Sequence, residues 1–494
     1  MSKVKLASTV ILSRGTGEAL EVYLALRAPE LKFFGGYWVF PGGNLNNKID
    51  FHGESDSLDL ALMRCAVREI LEEINVLSSM LGKKVSDEEK NRLREIIRHS
   101  PKLWQEFLME HGLDFPAIDP VFRITTPAFV PIRFDTQFMH VRVLGEETPA
   151  IDNYELIDGR FIRPADAVSA WEQGEMEIAP PVLFLLRLLA EYGLDAFNRQ
   201  AREATDALLR GKLHRVFFSP GVFMAPLETP TLPPATTTNT IIIGTSKLFV
   251  IDPATPDPSE QQRLFEEMDS LLAEGKQFEA ILLTHHHPDH VGAVNAVSQK
   301  YQLPVRAHKE CYTRIEDGYI RGQALEDGEQ IDLGVAPDGS DDWHLRVLHT
   351  PGHAVDHLCF LESRYQAAIV GDMLSTISSI LIDPPEGHMR TYLDNLERIR
   401  DQGIRTLYPA HGPANRDGVA LIDQFLQHRQ EREQAIINAL NQESQGIDDL
   451  LPKIYKDVPE SAYPVASRSL LAGLIKLEED RISLQDNAGW RLAD

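Results

Sequence analysis

The sequence predicts an α+β, multidomain fold, and three observations lead there. The chain has 494 residues, more than one ordinary domain holds. Short apolar runs of strand character alternate with amphipathic stretches of helical spacing, a rhythm that sets sheets under helices. Metal-ligating residue types fall just after several of those apolar runs, where strand ends can aim them into one pocket. Hydrophobic content of 43% and charged content of 25% fit a globular protein. No apolar run is long enough to span a bilayer, and the start, MSKVKLASTVILSRG, lacks the core and cleavage site of a signal peptide. Cys65, Cys311 and Cys359 lie far apart, with no CxxC pair and no disulfide framework, which predicts a reducing, cytoplasmic setting; the lack of a spanning run predicts no membrane partner. The net charge of −25 divides into −8 up to Arg210 and −17 beyond it. Such a surface repels nucleic acid and anionic membranes unless basic residues cluster locally.

In chain order, Ser8 to Leu26 reads as strand, glycine turn and strand, and YWVFPGG breaks at Gly42 and Gly43. Leu58 to Val76 has helical spacing, Ser86 to His111 is a charged helical insertion, and Val121 to Val143 returns to strand character. A proline-started helix over Ile178 to Tyr192 closes a first domain, residues 1–210. The stretch APLETPTLPPATTTNT has linker composition but strands flank it closely, so it reads as a loop inside a second domain, residues 211–420. A long helix from Leu421 and a small module complete residues 421–494.

The segment THHHPDHVG, Thr284 to Gly292, follows the apolar run AILL. So many titratable side chains in one turn do not serve packing. Three further polar stretches sit where apolar runs end: TPGHAVDH with His353, IVGD with Asp372 and YPAHG with His411. Imidazole and carboxylate suit zinc and neighbouring metals, and two close ions need six or seven ligands including a bridge. The inventory supplies His285, His287 and His353 for one ion, Asp289, His290 and His411 for the other, and Asp372 between them, with His286 pointing away. Two Zn²⁺ or similar transition ions are therefore expected, with Asp289 among the residues carrying catalysis.

These segments resemble the signature of the metallo-β-lactamase superfamily, HxHxDH followed by distant His, Asp and His, from about Gly211 to Pro413. The resemblance implies an αββα sandwich with a two-metal site at one edge, and a structural role for Asp252 in orienting the metal loop. The tail, QFLQHRQEREQAI through SLLAGLIKLEEDRIS, resembles the winged-helix end of a lactamase-β-like group that includes endoribonucleases. Its stripe Leu470, Leu471, Leu474 and Leu477 reads as core. Lys453, Lys456, Arg468 and Lys476 are the candidates for nucleic-acid contact, such as reading DNA, with RNA a possible partner, diluted by Glu478, Glu479 and Asp480.

In the first half, REILEEINV places Glu69, Glu72 and Glu73 at i, i+3 and i+4, on one helix face. Such carboxylates either form a solvated acidic face or surround a cation, and oxygen ligands suit Mg²⁺ or Mn²⁺. The stretch resembles the end of the Nudix box, with Asn75 in place of its glycine, and FPGG ahead of it resembles the Nudix entry. The glutamate expected eight residues before Arg68 is Leu60, and an insertion separates Gly43 from the helix. RAPELKFFGGYWVFPGG and TPAFVPIRFDTQFM are similar to the coenzyme A diphosphatase branch. The resemblance implies a Nudix α/β/α sandwich, catalysis at Glu72 and Glu73, and phosphate or adenine-nucleotide contacts from Arg27 and Arg133. Together the halves predict a bifunctional hydrolase. One site cleaves a diphosphate in a nucleotide derivative such as CoA or acyl-CoA; the other hydrolyses an ester or thioester. The alternative is an endoribonuclease or phosphodiesterase governed by a nucleotide-binding module.

Overall fold

The computed structural model describes residues 4–51, 56–110, 115, 117–127, 130, 132–151, 155–456 and 458–493. The chain divides into two compact units, 1–214 and 215–494. Among the described residues no helix is long and apolar enough to cross a membrane.

The first unit is built on a seven-stranded mixed sheet. Its central strand, Lys5–Arg14, runs parallel to Phe134–Arg142 and antiparallel to Gly42–Asn44 and to the start of Glu21–Arg27. Helix Leu58–Ile74 lies against the central strand, with Ala66, Val67 and Ile70 meeting Val10 and Leu12. Ser57 caps its N-terminus by accepting from Leu60 N–H. Its C-cap, Asn75, is left-handed at φ 55 and ψ 32. Asparagine tolerates that conformation better than other non-glycine residues, so it can stand where a glycine is usual.

The stretch read as an insertion is part of the core. It forms helices Asp87–His99 and Pro101–Glu110, and Leu93, Ile97, Trp104 and Leu108 pack with Ile70 and Ile74. The proline-started helix also differs from expectation. The backbone leaves helical geometry at Gly193, one residue after the expected end, then resumes to Leu209.

Apart from a two-stranded hairpin in its tail, the second unit has two sheets among the described residues. Seven strands run in the order Ile320–Arg321, Pro304–Arg306, Gln277–Leu282, Lys247–Ile251, Thr237–Gly244, Val222–Glu228, Val216–Ser219. The proline-rich loop joins the antiparallel pair Val222–Glu228 and Thr237–Gly244. Five strands form the other sheet: Gln330–Gly334, Trp343–His349, Leu358–Glu362, Ala367–Gly371 and Thr406–Pro409. Each sheet contains parallel neighbours joined through a helix: Lys247–Ile251 with Gln277–Leu282, and Ala367–Gly371 with Thr406–Pro409. Asp252, His285, Asp372 and His411 all lie just past the C-terminal ends of these four strands.

Helix Gly418–Ala439 runs through the boundary expected at 420. Leu421 and Ile422 join the core over the second sheet, while Ile436 joins the core of the tail. The tail comprises helices Ile447–Ile454 and Tyr463–Glu479 and the hairpin Ser483–Asp486 with Gly489–Leu492. Leu470, Leu474 and Leu477 are fully buried there, with Leu471 packed at their side.

Glu147 organises a polar joint in the first unit. Its carboxylate accepts hydrogen bonds from the amides of Leu77, Ser78 and Ser79 at 3.1, 2.9 and 2.7 Å, and Lys90 Nζ lies at 2.6 Å. Burial alone would raise its pKa; Lys90, the Ser79 hydroxyl and the amides reverse this and bring it down to about 2. An unfolded glutamate titrates near 4.3. The folded pKa is the lower one, so this carboxylate stabilises fully above the unfolded value, and the contribution is lost as pH falls from about 4.3 towards 2. Glu147→Gln is expected to destabilise the first unit by about 2 kcal/mol at pH 7. In urea unfolding the gap to the parent protein narrows at pH 3; an equal gap at both pH values would contradict this origin.

Candidate metal centre

The site in the second unit grows from the parallel strands Lys247–Ile251 and Gln277–Leu282. Asp252, left-handed at φ 50 and buried, accepts from Thr284 N–H at 2.8 Å, from Thr284 Oγ1 at 2.6 Å and from His290 Nδ1 at 2.8 Å. The Thr284 hydroxyl has one proton, and the carboxylate takes it. His285 Nδ1, 3.1 Å from the same hydroxyl, must then be the donor to it. His353 Nδ1 donates to Leu381 O at 2.8 Å, and His411 Nδ1 donates to Thr237 O at 3.0 Å. Four imidazoles therefore carry their proton on Nδ1 and turn Nε2 inward.

The inward atoms converge. His285 Nε2 and His353 Nε2 each lie 3.0 Å from His287 Nδ1. His411 Nε2 lies 3.5 Å from Asp289 Oδ2 and 3.3 Å from Asp372 Oδ1, and His290 Nε2 is 3.6 Å from Asp372 Oδ1. The other Asp372 oxygen is 3.5 Å from His353 Nε2. His285, His287 and His353 form one group whose ligand atoms lie within 4.8 Å of one another; Asp289, His290 and His411 form a second; Asp372 reaches both.

This donor set fits a pair of ions. His285 and His353 both turn Nε2 to the single His287 Nδ1, which holds at most one proton for the two. His290 Nε2 and Asp372 Oδ1 are buried without a hydrogen-bond partner. A cation between such atoms removes both conflicts. Burial and the neighbouring imidazoles hold His285 well below the ordinary histidine range and bring His287 to about 3, so both offer lone pairs. At the second group burial opposes charge, but Asp372 outweighs it and raises His290 and His411. Asp372, against its own burial, is held well below the carboxylate range by His411 and His290.

His286 lies outside both groups, its Nδ1 2.8 Å from Asp356 Oδ1. Three residues acquire roles that spacing did not disclose. His357, fully buried, sits between Thr350 Oγ1 at 2.9 Å and Asp372 N–H at 3.1 Å, and so fixes the backbone of the bridging aspartate. A Cβ at Gly371 would come 2.6 Å from His357 Nε2, so this contact requires glycine. Asp356 orients His286. Glu386 places its carboxylate 3.6 Å from His286 Nε2 and 3.7 Å from His287 Nε2. Asp356 and His357 stand in the motif TPGHAVDH; Glu386 follows two prolines with no sequence signal.

The first unit is arranged differently. Arg68 Nη1 bonds Glu69 at 2.7 Å and Glu72 at 3.0 Å, so the cation between those carboxylates here is its guanidinium. Glu73 turns aside and accepts from Gly42 N–H at 2.7 Å. Burial raises Glu69 to about 7 and Glu73 well above the carboxylate range, with Arg68 opposing the first. Among the described residues every group able to hold a metal lies in the second unit. Fully buried Asp50, from the stretch between Gly43 and the helix, also holds Arg68, taking Nε at 3.0 Å and Nη2 at 2.9 Å. Arg27 pairs with Glu155 at 3.7 Å and leaves a buried Nε unpartnered; Arg133 Nε donates to Thr126 O at 3.0 Å.

Comparison with known proteins follows this geometry. Residues 233–411 match the model of the metallo-beta-lactamase superfamily, and 447–490 match the beta-lactamase associated winged helix domain. A Beta-lactamase-like protein 2 homolog of Caenorhabditis elegans is 27% identical over 252 residues, 50% of this chain and 80% of that protein. Lactamase-like protein nscB of Trichophyton equinum is 30% identical over 263 residues, 50% of this chain and 73% of its own. A NUDIX hydrolase structure from Alicyclobacillus acidocaldarius, 24% identical, is similar over 40% of this chain and 96% of its own with a TM-score of 0.34, too distant to assign the first unit. Through its second unit, the chain belongs to the metallo-β-lactamase superfamily and is a hydrolase.

Proposed function

We propose that the protein is a bifunctional metal-dependent hydrolase whose second unit cleaves a small ester or thioester, such as an acyl-CoA, in preference to RNA. The observation that carries this choice is that two of the tail's four candidate basic residues, Arg468 and Lys476, are already held by carboxylates. Arg468 pairs with Asp383, Lys476 with Glu433 and Asp480, and Lys453 with the Gln445 amide oxygen. Affinity for a long polyanion comes from neutralising phosphates, and side chains already paired with carboxylates contribute little of it. The −17 charge beyond Arg210 works in the same direction. A CoA ester presents only a few phosphates at one end.

His285, His287 and His353 would hold one ion, Asp289, His290 and His411 the other, with Asp372 between. When bound, two such ions supply Lewis acidity and activation of water near neutral pH. The chain's own residues fix the imidazole tautomers through Asp252, Thr284, Leu381 O and Thr237 O, and His357 holds Asp372.

For the first unit the proposal is diphosphate hydrolysis on a nucleotide derivative. It is supported by the Glu69, Glu72, Glu73 face, by Asn75 in the left-handed position and by Asp50 completing the hold on Arg68. Mg²⁺ or Mn²⁺ would have to displace the Arg68 guanidinium from Glu69 and Glu72. A non-catalytic nucleotide-binding role is the second reading, since those carboxylates are already paired.

Three outcomes follow. Elemental analysis of the purified protein should give two transition ions per chain; Asp289→Ala should lose one and cut ester hydrolysis about a hundredfold or more. Active protein without metal would contradict the dimetal reading. Glu72→Gln combined with Glu73→Gln should abolish diphosphate hydrolysis and spare ester turnover; persistence of diphosphate cleavage would remove those residues from the first site. In that double variant, acyl-CoA should turn over faster than single-stranded RNA. Fast, salt-sensitive RNA cleavage lost in Asp289→Ala, without thioester turnover, would reverse the preference.

A further inference from the structure

We infer that the winged-helix tail is a positioning part of the metal centre, acting through residues 380–390, which it grips at both ends. The inference rests on the dimetal reading. This segment reaches the centre in three places. Leu381 O takes the Nδ1 proton of His353 at 2.8 Å and so turns its Nε2 towards His287. Glu386 faces Nε2 of His287 at 3.7 Å, the side opposite the Nδ1 that joins the ligand group. His388 N–H donates to Gly352 O at 2.8 Å, next to His353 in sequence. Gly352 lies so close to helix Met389–Arg400 that a Cβ there would stand 2.4 Å from Tyr392 Cα. Two ligand rings thus take their orientation from one segment.

The tail and the helix leading into it hold that segment. Arg429, from helix Gly418–Ala439, donates to Ile380 O. Arg468, from helix Tyr463–Glu479, donates Nε to Asp383 Oδ1 at 2.5 Å and Nη2 to Pro384 O at 3.1 Å. At the other end Glu479 accepts from His388 Nε2 at 2.8 Å and from Arg390 Nε at 3.2 Å, while Arg390 Nη2 donates to Asp480. Lys476, between Glu433 and Asp480, ties these acids back to the long helix. Exposed ion pairs one at a time contribute little to stability. Here they form one network, and its effect is geometric: it fixes where Leu381 O and Glu386 stand. Partners behind metal ligands typically govern metal affinity by ten- to a hundredfold. Arg468, which the sequence offers as a nucleic-acid contact, becomes a positioning residue.

The test uses the full-length protein and zinc alone. Arg468→Asp, Asp383→Arg and the exchange Arg468→Asp/Asp383→Arg are compared with the parent by competition with a chromophoric chelator. Amide hydrogen exchange of residues 380–390 is followed in the metal-free proteins. Each single variant is expected to weaken zinc retention about tenfold and to speed exchange across the segment, and the charge exchange is expected to recover both. Arg468→Lys, which keeps the charge but not the two-pronged contact, should fall between. Unchanged zinc retention and exchange in Arg468→Asp would overturn the inference, whatever happens to RNA binding. Failure of the charge exchange to recover either would overturn the Arg468–Asp383 link. If the parent protein retains no zinc, the dimetal reading falls, and hydrogen exchange alone still decides whether the tail holds the segment.

Discussion

The second unit depends on one buried carboxylate. Asp252 ends one parallel strand and binds the residue that ends the next, Thr284, through both its amide and its hydroxyl, while taking the Nδ1 proton of His290. That single choice of acceptor propagates. The Thr284 hydroxyl becomes an acceptor for His285, His285 turns a bare Nε2 to His287, and the histidine loop is pinned at both ends. Asp252 sits in the left-handed region, which only glycine and, less readily, Asn and Asp adopt without large strain. The strand pair, the turn and the tautomers follow from one side chain of the right length and charge.

Imidazole nitrogens and carboxylate oxygens crowded this closely are suited to hold a cation, and the surrounding structure is organised to keep them assembled. The acceptors for the outer nitrogens come from separate parts of the unit: Thr237 O and Asp252 from the strands of one sheet and their ends, and Leu381 O from the irregular segment that follows Ala367–Gly371 of the other. The ligands therefore sit at the junction of layers, past the C-terminal ends of parallel strands. The tail enters the same account because the segment carrying Leu381 and Glu386 has no regular structure of its own and takes its place from neighbouring helices. In the first unit a guanidinium plays the organising role. Arg68 gathers Asp50, Glu69 and Glu72, and joins the stretch after Gly43 to the helix.

Much of this was readable in the chain itself. The histidine segment, His353, Asp372 and His411 could be located because each follows a short apolar run, and strand ends are what a two-sheet fold brings together. Helix Leu58–Ile74 and the leucines of the tail were readable from their periodicity. What escaped depends on contacts between distant residues. Asp50 lies 18 residues from Arg68, with no fixed spacing to reveal it. Glu386 lies nearly 100 residues from His287 on a loop without a motif. Arg468 read as a free basic residue because its partner Asp383 lies 85 positions away. The charged helix at Asp87–His99 read as an insertion because its exposed charged residues outnumber the side chains it buries, Lys90, Leu93, Arg94 and Ile97. Helix Gly418–Ala439 serves two cores in succession and begins before Leu421, so a boundary set at the expected start of that helix fell inside it.

The central claim is that these imidazoles and carboxylates are arranged for two cations bridged by Asp372. Anomalous X-ray diffraction at the zinc absorption edge, on zinc-loaded crystals, tests it most directly. The account predicts two peaks. One lies about 2.0–2.1 Å from His285 Nε2, His287 Nδ1 and His353 Nε2, and the other at similar distances from Asp289, His290 Nε2 and His411 Nε2, with Asp372 contacting both. A single peak, or peaks away from these atoms, would contradict it.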